Sequence, residues 1–320
     1  MFDLRAKHVL ALAALVLGAL AAPAQAEDLI RVGKAGREAF SFVPVDIGDR
    51  MGFFKKRNLK VEISNFAGDA RLQQAMAADA LDMSLGSGPG MAFVVKGAPV
   101  KAVAAFAGPP LLFALVVAKQ SPLKSEADLN GNTVGVSGVG SVTQWLVNQI
   151  AVKQGWGLGA IKVVGIGENA ARVAAVKSGS IDGGVVDIAS ALLYAKSGDG
   201  RILNRFTNVT SDFHVHVMFA TDKAIAQKPD AIRAFIEGWF ETIAFMRANK
   251  AQSVEIAAEV MGTDKELAAG IYDELMPMFA NDGRFNPKAL DVLAKSFVEL
   301  KTLPIEPDMS KLYTEKLLPK

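Results

Sequence analysis

The residues able to do chemistry sit in short glycine-containing turns. The stretch TVGVSGVGSVTQWLV (133–147) carries Gly135, Gly138 and Gly140 together with the hydroxyls of Ser137, Ser141 and Thr143. It reads as a short apolar strand, a Gly/Ser turn, and a helix opening at Ser141 or Val142. A helix start offers unpaired N–H groups and the positive end of the dipole, and glycine lets backbone come close to a ligand. The turn is therefore a seat for an anion, although an ordinary strand-to-helix connection would use the same residues. Enzyme signatures are missing. GVGSVT (138–143) has Thr143 where a dinucleotide fingerprint needs its last glycine, and no GxxxxGK[ST], GxSxG or HExxH occurs. Of three histidines and no cysteine, His214 and His216 remain once His8 is assigned to the leader. Two ligands without a third do not make a metal site; one of them, His214, reads as a polar group near the lobe crossover, within reach of a ligand. Neither metal nor cofactor is expected, and the chemistry is that of holding rather than converting.

The elements that position these turns begin after an address. Arg5 and Lys7 precede an apolar run over 9–22, and Ala24-Gln25-Ala26 has the small-x-small form of a signal-peptidase site. That run is too short to span a bilayer, which takes about 20 residues. The mature chain is expected to begin near Glu27, in a bacterial periplasm, without a lipid-anchor cysteine or other stable membrane anchor. The full chain has net charge +2 over 320 residues, with no basic block or acidic tail, so nothing points to nucleic acid or a membrane surface. Its length suggests two compact units, and without disulfides they must rest on their cores.

From Leu29 onward, strands alternate with helices, the pattern of parallel α/β units. Strands are expected at 29–33, 61–66, 81–85, 100–107 and 112–118, and helices at 42–54 (Asn58 the C-cap) and 70–80. The second stretch repeats the first. Shifted by 100 residues without gaps, VEISNFAGDA (61–70) falls on IKVVGIGENA (161–170), and AMAADALDMSL (75–85) on AVKSGSIDGGV (175–185). A shift of 102 places VGKAG (32–36) on VGVSG (134–138). This period is far longer than that of a solenoid and indicates two lobes of one kind. From Lys228 the chain turns helical, over 231–246, 251–261, 265–279 and 287–300. Pro229 suits a first helical turn, and Asp264 and Asn286 suit N-caps.

In an open α/β sheet, ligands bind beyond the C-terminal ends of the strands. That rule selects Gly36-Arg37-Glu38, Gly68-Asp69 and Gly86-Ser87-Gly88 in the first lobe. In the second it selects Ser137 to Ser141, Gly167-Glu168-Asn169 and Asp187. Arg37 is well placed to pair with an anionic group. Asp69 and Asn169 occupy matching places where helix capping alone explains them, and Asp82 and Asp182 suit structural turns. Arg71 and Arg172, on helix first turns, read as surface residues.

The order DLIRVGKAG, GFFKKRNLKVEISNFAGDARLQQAMAADALDMSLGS, KGAPVKAVAAF and DLNGNTVGVSGVGS resembles the ABC-transporter solute-binding proteins of the nitrate/sulfonate/taurine type. GENAARVAAVKSGSIDGGVVD, QKPDAIRAFIEGW and PIEPDMSKLYTEKLL fit the same family, so the resemblance covers the whole mature chain. It implies a two-lobed periplasmic-binding-protein fold of type II form, with two doubly wound α/β lobes joined by a two-strand hinge and a helical C-terminal part. The expected division is a signal peptide over 1–26, the first part of lobe 1 over 27–115, lobe 2 over 116–219, and the completion of lobe 1 with the C-terminal helices over 220–320. The resemblance further implies ligand contacts from Arg37, Glu38, Phe40, Ser41 and Phe42, from Gly68 and Asp69, and from Ser87 and Gly88. Ser137, Gly138, Gly140 and Ser141 join them, and Phe106 and Asp187 fall at family positions near the cleft. The partners so implied are a small-molecule ligand and a cognate ABC permease with its ATPase, served by a monomer. The ligands it implies are sulfonates, taurine, nitrate, carboxylates or thiamine-precursor pyrimidines. The cysteine-rich signature of the related pyrimidine-synthesising enzymes is absent. The cleft's carboxylates also suit a ligand bearing an amine, and Phe40, Phe42, Phe106 and Trp145 allow an aromatic one. The rival expectation is an enzyme on the same fold, acting through His214 and a carboxylate.

Overall fold

The alternating segments assemble into two five-stranded sheets, each wrapped by helices, in a computed structural model. It describes residues 27–319 except 37–38, 67 and 207–208. The leader expected over 1–26 and the candidates Arg37 and Glu38 lie outside the described residues.

The first sheet starts with β1 (Asp28–Lys34), followed by α1 (Val43–Arg50), β2 (Leu59–Asn65), α2 (Asp69–Ala77), β3 (Met83–Ser87), α3 (Met91–Val95) and β4 (Val100–Ala107). The chain then crosses into the second sheet through 108–112. There it forms β5 (Phe113–Ala118), β6 (Thr133–Val136), α4 (Val142–Lys153), β7 (Lys162–Gly165), α5 (Asn169–Lys177), β8 (Gly183–Asp187), α6 (Ile188–Lys196) and β9 (Gly200–Arg205). It returns through 206–215 into β10 (His216–Thr221). The two crossings touch, with the Val215 N–H donating to the Gly108 carbonyl at 3.1 Å. Helices α7 (Asp222–Gln227), α8 (Pro229–Ala248), α9 (Lys250–Met261), α10 (Lys265–Leu275) and α11 (Pro287–Glu299) complete the chain. Pro229 stands in the first turn of α8, and Asp264 and Asn286 cap α10 and α11 as their spacing predicts.

The strand orders are β2-β1-β3-β10-β4 and β7-β6-β8-β5-β9, so each sheet is the image of the other. The sheets are not purely parallel. β10 runs antiparallel to β3 and β4, and β5 antiparallel to β8 and β9. In both lobes the antiparallel strand is the one arriving from the other lobe. The repeat holds in detail, because α2 and α5, β3 and β8, and β4 and β9 all start 100 residues apart. Asp82 and Asp182 do the same structural work. The carboxylate of Asp82 accepts the Arg31 N–H at 2.9 Å, and that of Asp182 accepts the Thr133 N–H at 2.8 Å, tying each strand to its neighbour.

The helix expected over 42–54 is shorter. It ends at Arg50, before Gly52 at φ 74, and a further turn leads to Asn58, whose left-handed φ of 55 closes it. Phe54 is still fully buried, stacked on Phe235 of α8 with centroids 5.1 Å apart. Phe54, Phe106, Phe235 and Trp239 form the aromatic heart of the first lobe, each stabilising it by roughly 2–3 kcal/mol through removal from water. The last helices join the lobes. The Glu299 carboxylate at the end of α11 accepts from Trp145 Nε1 and Gln149 Nε2 of α4, both at 2.8 Å. Glu274 of α10 pairs with Arg205 of β9.

Candidate functional site

Both sheets present the C-terminal ends of their parallel strands to the interlobe cleft. At the end of β1, Lys34 is buried and its ammonium is held by Asp46 at 2.7 Å, so this cation is engaged within the lobe. The chain then makes a short 3-10 turn, Phe40–Phe42. Phe40 packs edge-on against Tyr272, with centroids 6.2 Å apart. Ser41 is fully buried, and its Oγ has no hydrogen-bond partner among the described residues. An unpaired buried hydroxyl costs about 1–3 kcal/mol. Ser41 lines a cavity of about 10 Å³, with Phe40, Leu112, Asp187, Ile271 and Leu275 among its walls. Ser41 and Phe40 come from the first lobe, Asp187 from the second, and Ile271 and Leu275 from α10.

At the second strand end, Gly68 takes φ 90 and leads into α2. Asp69 does not cap its helix, contrary to expectation. It is the first helical residue, and its carboxylate reaches across to Ser87, accepting the N–H at 3.1 Å and the Oγ–H at 2.5 Å. Burial pushes the Asp69 carboxyl up, partly offset by the Ser87 bonds. The repeat reproduces the backbone half of the contact and reverses the side-chain half. Asn169 is likewise the first residue of α5 rather than its cap, and its Oδ1 accepts the Asp187 N–H at 3.3 Å while its Nδ2 donates to the Asp187 carboxylate. Asp187 also caps α6, accepting from Ser190 N–H at 2.8 Å.

Arg172 corrects the sequence reading outright: it is buried, not a surface residue. It stands where the first lobe has Leu72 and donates to the Gly167 carbonyl and to Asn169 Oδ1. Burial lowers its pKa, with the charges of Asp187 and Glu168 acting in the opposite sense. The 100-residue shift carried a signal for it, a cation opposite a leucine on the inward face of the helix. Leu112, Ile271 and Leu275 had no such signal, because only the tertiary fold brings them to the cleft.

The Gly/Ser turn after β6 is closed by its own hydroxyls. Ser141 caps α4 by accepting the Gln144 N–H at 3.3 Å. The buried Thr143 Oγ1 lies 3.0 Å from Ser137 Oγ and 2.8 Å from Ser141 Oγ, and accepts the Ser137 N–H at 3.0 Å. Gly140 donates to Gln144 Oε1 at 2.8 Å and lies close to Thr302, just beyond α11. Gly138 has open space where a Cβ would stand.

The other candidates lie in the body of the first lobe and its crossing. Phe42 and Phe106 enclose the His216 ring, Phe106 stacking on it at 5.5 Å and 9°. A Cβ on Gly88 would overlap the carbonyl oxygen of His214, so glycine is needed there for close approach of the returning crossing. His214 Nε2 accepts the Asn286 N–H at 2.9 Å, which requires the neutral ring. Among the described residues no group of three or more His, Asp or Glu could hold a metal ion, and no helix is long and apolar enough to cross a membrane. The structure thus brings Phe40, Ser41 and Asp187 to one cavity, joins Asp69 to Ser87 and Asn169 to Asp187, and sets the Ser137-to-Ser141 turn by the end of α11.

The NMT1/THI5-like family model matches residues 39–253. The chain belongs to the NMT1/THI5-like family. Among solved structures, this family member has the fold of the periplasmic aliphatic sulphonate binding protein SsuA from Escherichia coli, with a TM-score of 0.76 at 19% identity over 90% of this chain and 92% of that one. It is similar also to the periplasmic nitrate-binding protein NrtA from Synechocystis PCC 6803, with a TM-score of 0.68 at 16% identity over 90% and 86% of the two chains. Those neighbours are binding proteins. In sequence, it is 38% identical over 92 residues to a Haemophilus influenzae protein named for thiamine biosynthesis, a match spanning 28% of this chain and 29% of that relative's length.

Proposed function

We propose that this NMT1/THI5-like protein is the periplasmic solute-binding component of an ABC importer, a monomer exported by its leader. It captures a small organic solute with an acidic group, a sulfonate, taurine-like compound or carboxylate, and delivers it unchanged to a permease with its ATPase. The observation that carries this reading is the cavity in which Ser41 of one lobe faces Asp187 and the start of α6 of the other. A solute touching both lobes stabilises the closed arrangement and shifts the population toward it. A cavity of about 10 Å³ holds about one water, so an organic solute enters when the lobes part at the touching crossings, 108–112 and 209–215. The start of α4 with Ser137 and Ser141 offers the acidic group a seat, and Arg37, just past the first strand, supplies a cation. The sulphonate- and nitrate-binding neighbours support an acidic solute.

A second reading, a thiamine-precursor-like pyrimidine, is favoured by Asp187, whose carboxylate accepts from an amino group, and by the name of the Haemophilus relative. A thermal-stability screen over sulfonates, carboxylates, nitrate and aminopyrimidines tests both, since a ligand bound only by the native state raises Tm. An acidic solute that raises Tm and is recovered with unchanged mass is the expected result, and Arg37→Ala weakens it more than tenfold. Stabilisation by the pyrimidines alone selects the second reading, and conversion of the solute overturns transport in favour of an enzyme.

A further inference from the structure

The two lobes repeat one contact, a strand-end N–H donating to the helix side chain, but with its side-chain bond reversed, and the reversal bears on what the cleft recognises. In the first lobe the helix residue Asp69 is the acceptor and the strand-end residue Ser87 the donor. In the second lobe the carboxylate has moved to the strand end, as Asp187, and Asn169 holds the helix position. An amide could face either way, but here its direction is fixed. Asn169 Oδ1 accepts from Arg172 and from the Asp187 N–H, so its NH₂ must point at the Asp187 carboxylate. Arg172 exists only in this lobe, since Leu72 fills its place in the other. An ionised carboxylate only accepts hydrogen bonds.

The carboxylate offers about four acceptor positions. The Ser190 N–H takes one on Oδ1, and Asn169 Nδ2 and Ser190 Oγ take two on Oδ2. Among the described residues nothing takes the remaining position on Oδ1, and Asp187 lines a cavity together with Ser41, whose buried hydroxyl also has no partner among those residues. The remaining walls named above are apolar.

We propose that Arg172, acting through Asn169, fixes Asp187 as the acceptor for an N–H group of the solute, so that this trio makes the second lobe select solutes bearing an ammonium or amino group. Asp187 is the contact residue, and Arg172 is a positioning residue. The proposal rests on the solute-binding reading and narrows its ligand class.

The test is isothermal titration with matched pairs differing in the N–H group: 2-aminoethanesulfonate against ethanesulfonate, β-alanine against propionate, and 4-aminopyrimidine against pyrimidine. In at least one pair the nitrogen-bearing member binds tenfold or more tighter. Asp187→Asn keeps a good cap for α6 and brings that ratio close to one. Arg172→Leu, the residue the first lobe uses, lowers the ratio at least threefold while the variant stays folded by circular dichroism. A ratio unchanged in both folded variants, or a donor-free solute bound as tightly as its partner in every pair that binds, overturns the proposal and leaves the receptor reading standing. Binding of none of the six, with no solute carried through purification, counts against the receptor reading and takes this inference with it.

Discussion

His214, in the returning crossing, and His216, at the start of β10, should make stability fall steeply in mild acid. His216 is 6% exposed, its ring held between Phe42 and Phe106. Nδ1 meets the Gly86 carbonyl at 3.2 Å, and Nε2 is buried without a partner among the described residues. Burial brings its pKa down from 6.5 to about 4, with the Gly86 bond acting weakly the other way. His214, buried and accepting from Asn286, is likewise lowered to about 4 by burial. As pH falls, the unfolded chain binds these protons first, near 6.5, while the native state resists until about 4. The stabilisation is therefore complete above about pH 6.5 and is lost progressively down to about pH 4. At about 1.4 kcal/mol per pKa unit, each histidine is worth about 3 kcal/mol across that window. Two such terms are a large share of the roughly 5–15 kcal/mol that holds a protein folded. Urea unfolding followed at pH 7, 6, 5 and 4 should show the fall, and His216→Leu should remove about half of it. Equal slopes in the two proteins, or an NMR titration of the His216 ring above pH 6, would refute the reasoning.

Two further expectations follow from the repeat and its glycines. The Asp82 carboxyl is 6% exposed; burial would raise its pKa, but Arg31 and Lys228 more than offset this and hold it at about 2. Asp82→Asn should therefore cost about 2 kcal/mol at pH 7, and Asp182→Asn, whose carboxylate is bonded among the described residues to the Thr133 N–H alone, less than about 1 kcal/mol; equal costs in urea unfolding would contradict this. Gly88→Ala must displace the backbone of the returning crossing and should cost about 3 kcal/mol, whereas Gly138→Ala meets open space and should stay within about 0.5 kcal/mol. A Gly88→Ala protein as stable as Gly138→Ala would show that the crossing does not hold its position there.

Much of the architecture was legible because hydrophobic period and turn chemistry are local. The 100-residue shift located α2 against α5 and β3 against β8 before any contact was known. Asn58, Pro229, Asp264 and Asn286 each took the terminal role their side chains favour. What could not be read is who pairs with whom. Alternation in HVHVMFAT shows that a strand forms, not that it inserts antiparallel between β3 and β4. The polar GRILNR hides β9, an edge strand with little apolar signal. Within the site, the strand-end rule selected Asp187, whereas Phe40 and Ser41, which line the same cavity, came from the family resemblance. It could not tell that Asp69 and Asn169 spend their side chains on bonds inside their own lobes, since those partners are 18 residues away. Arg172 was misread because a charge on an amphipathic helix is usually solvated, and only its hydrogen bonds to Gly167 and Asn169 make burial tolerable.

The central claim is that one solute is held by both lobes at the Ser41–Asp187 cavity. Hydrogen–deuterium exchange with and without the solute that most raises Tm tests it most directly. Closure on a shared ligand predicts that peptides covering 39–43 and 186–190 gain protection together. Protection confined to one of these segments, or found at neither while the protein is saturated with solute, would contradict the account.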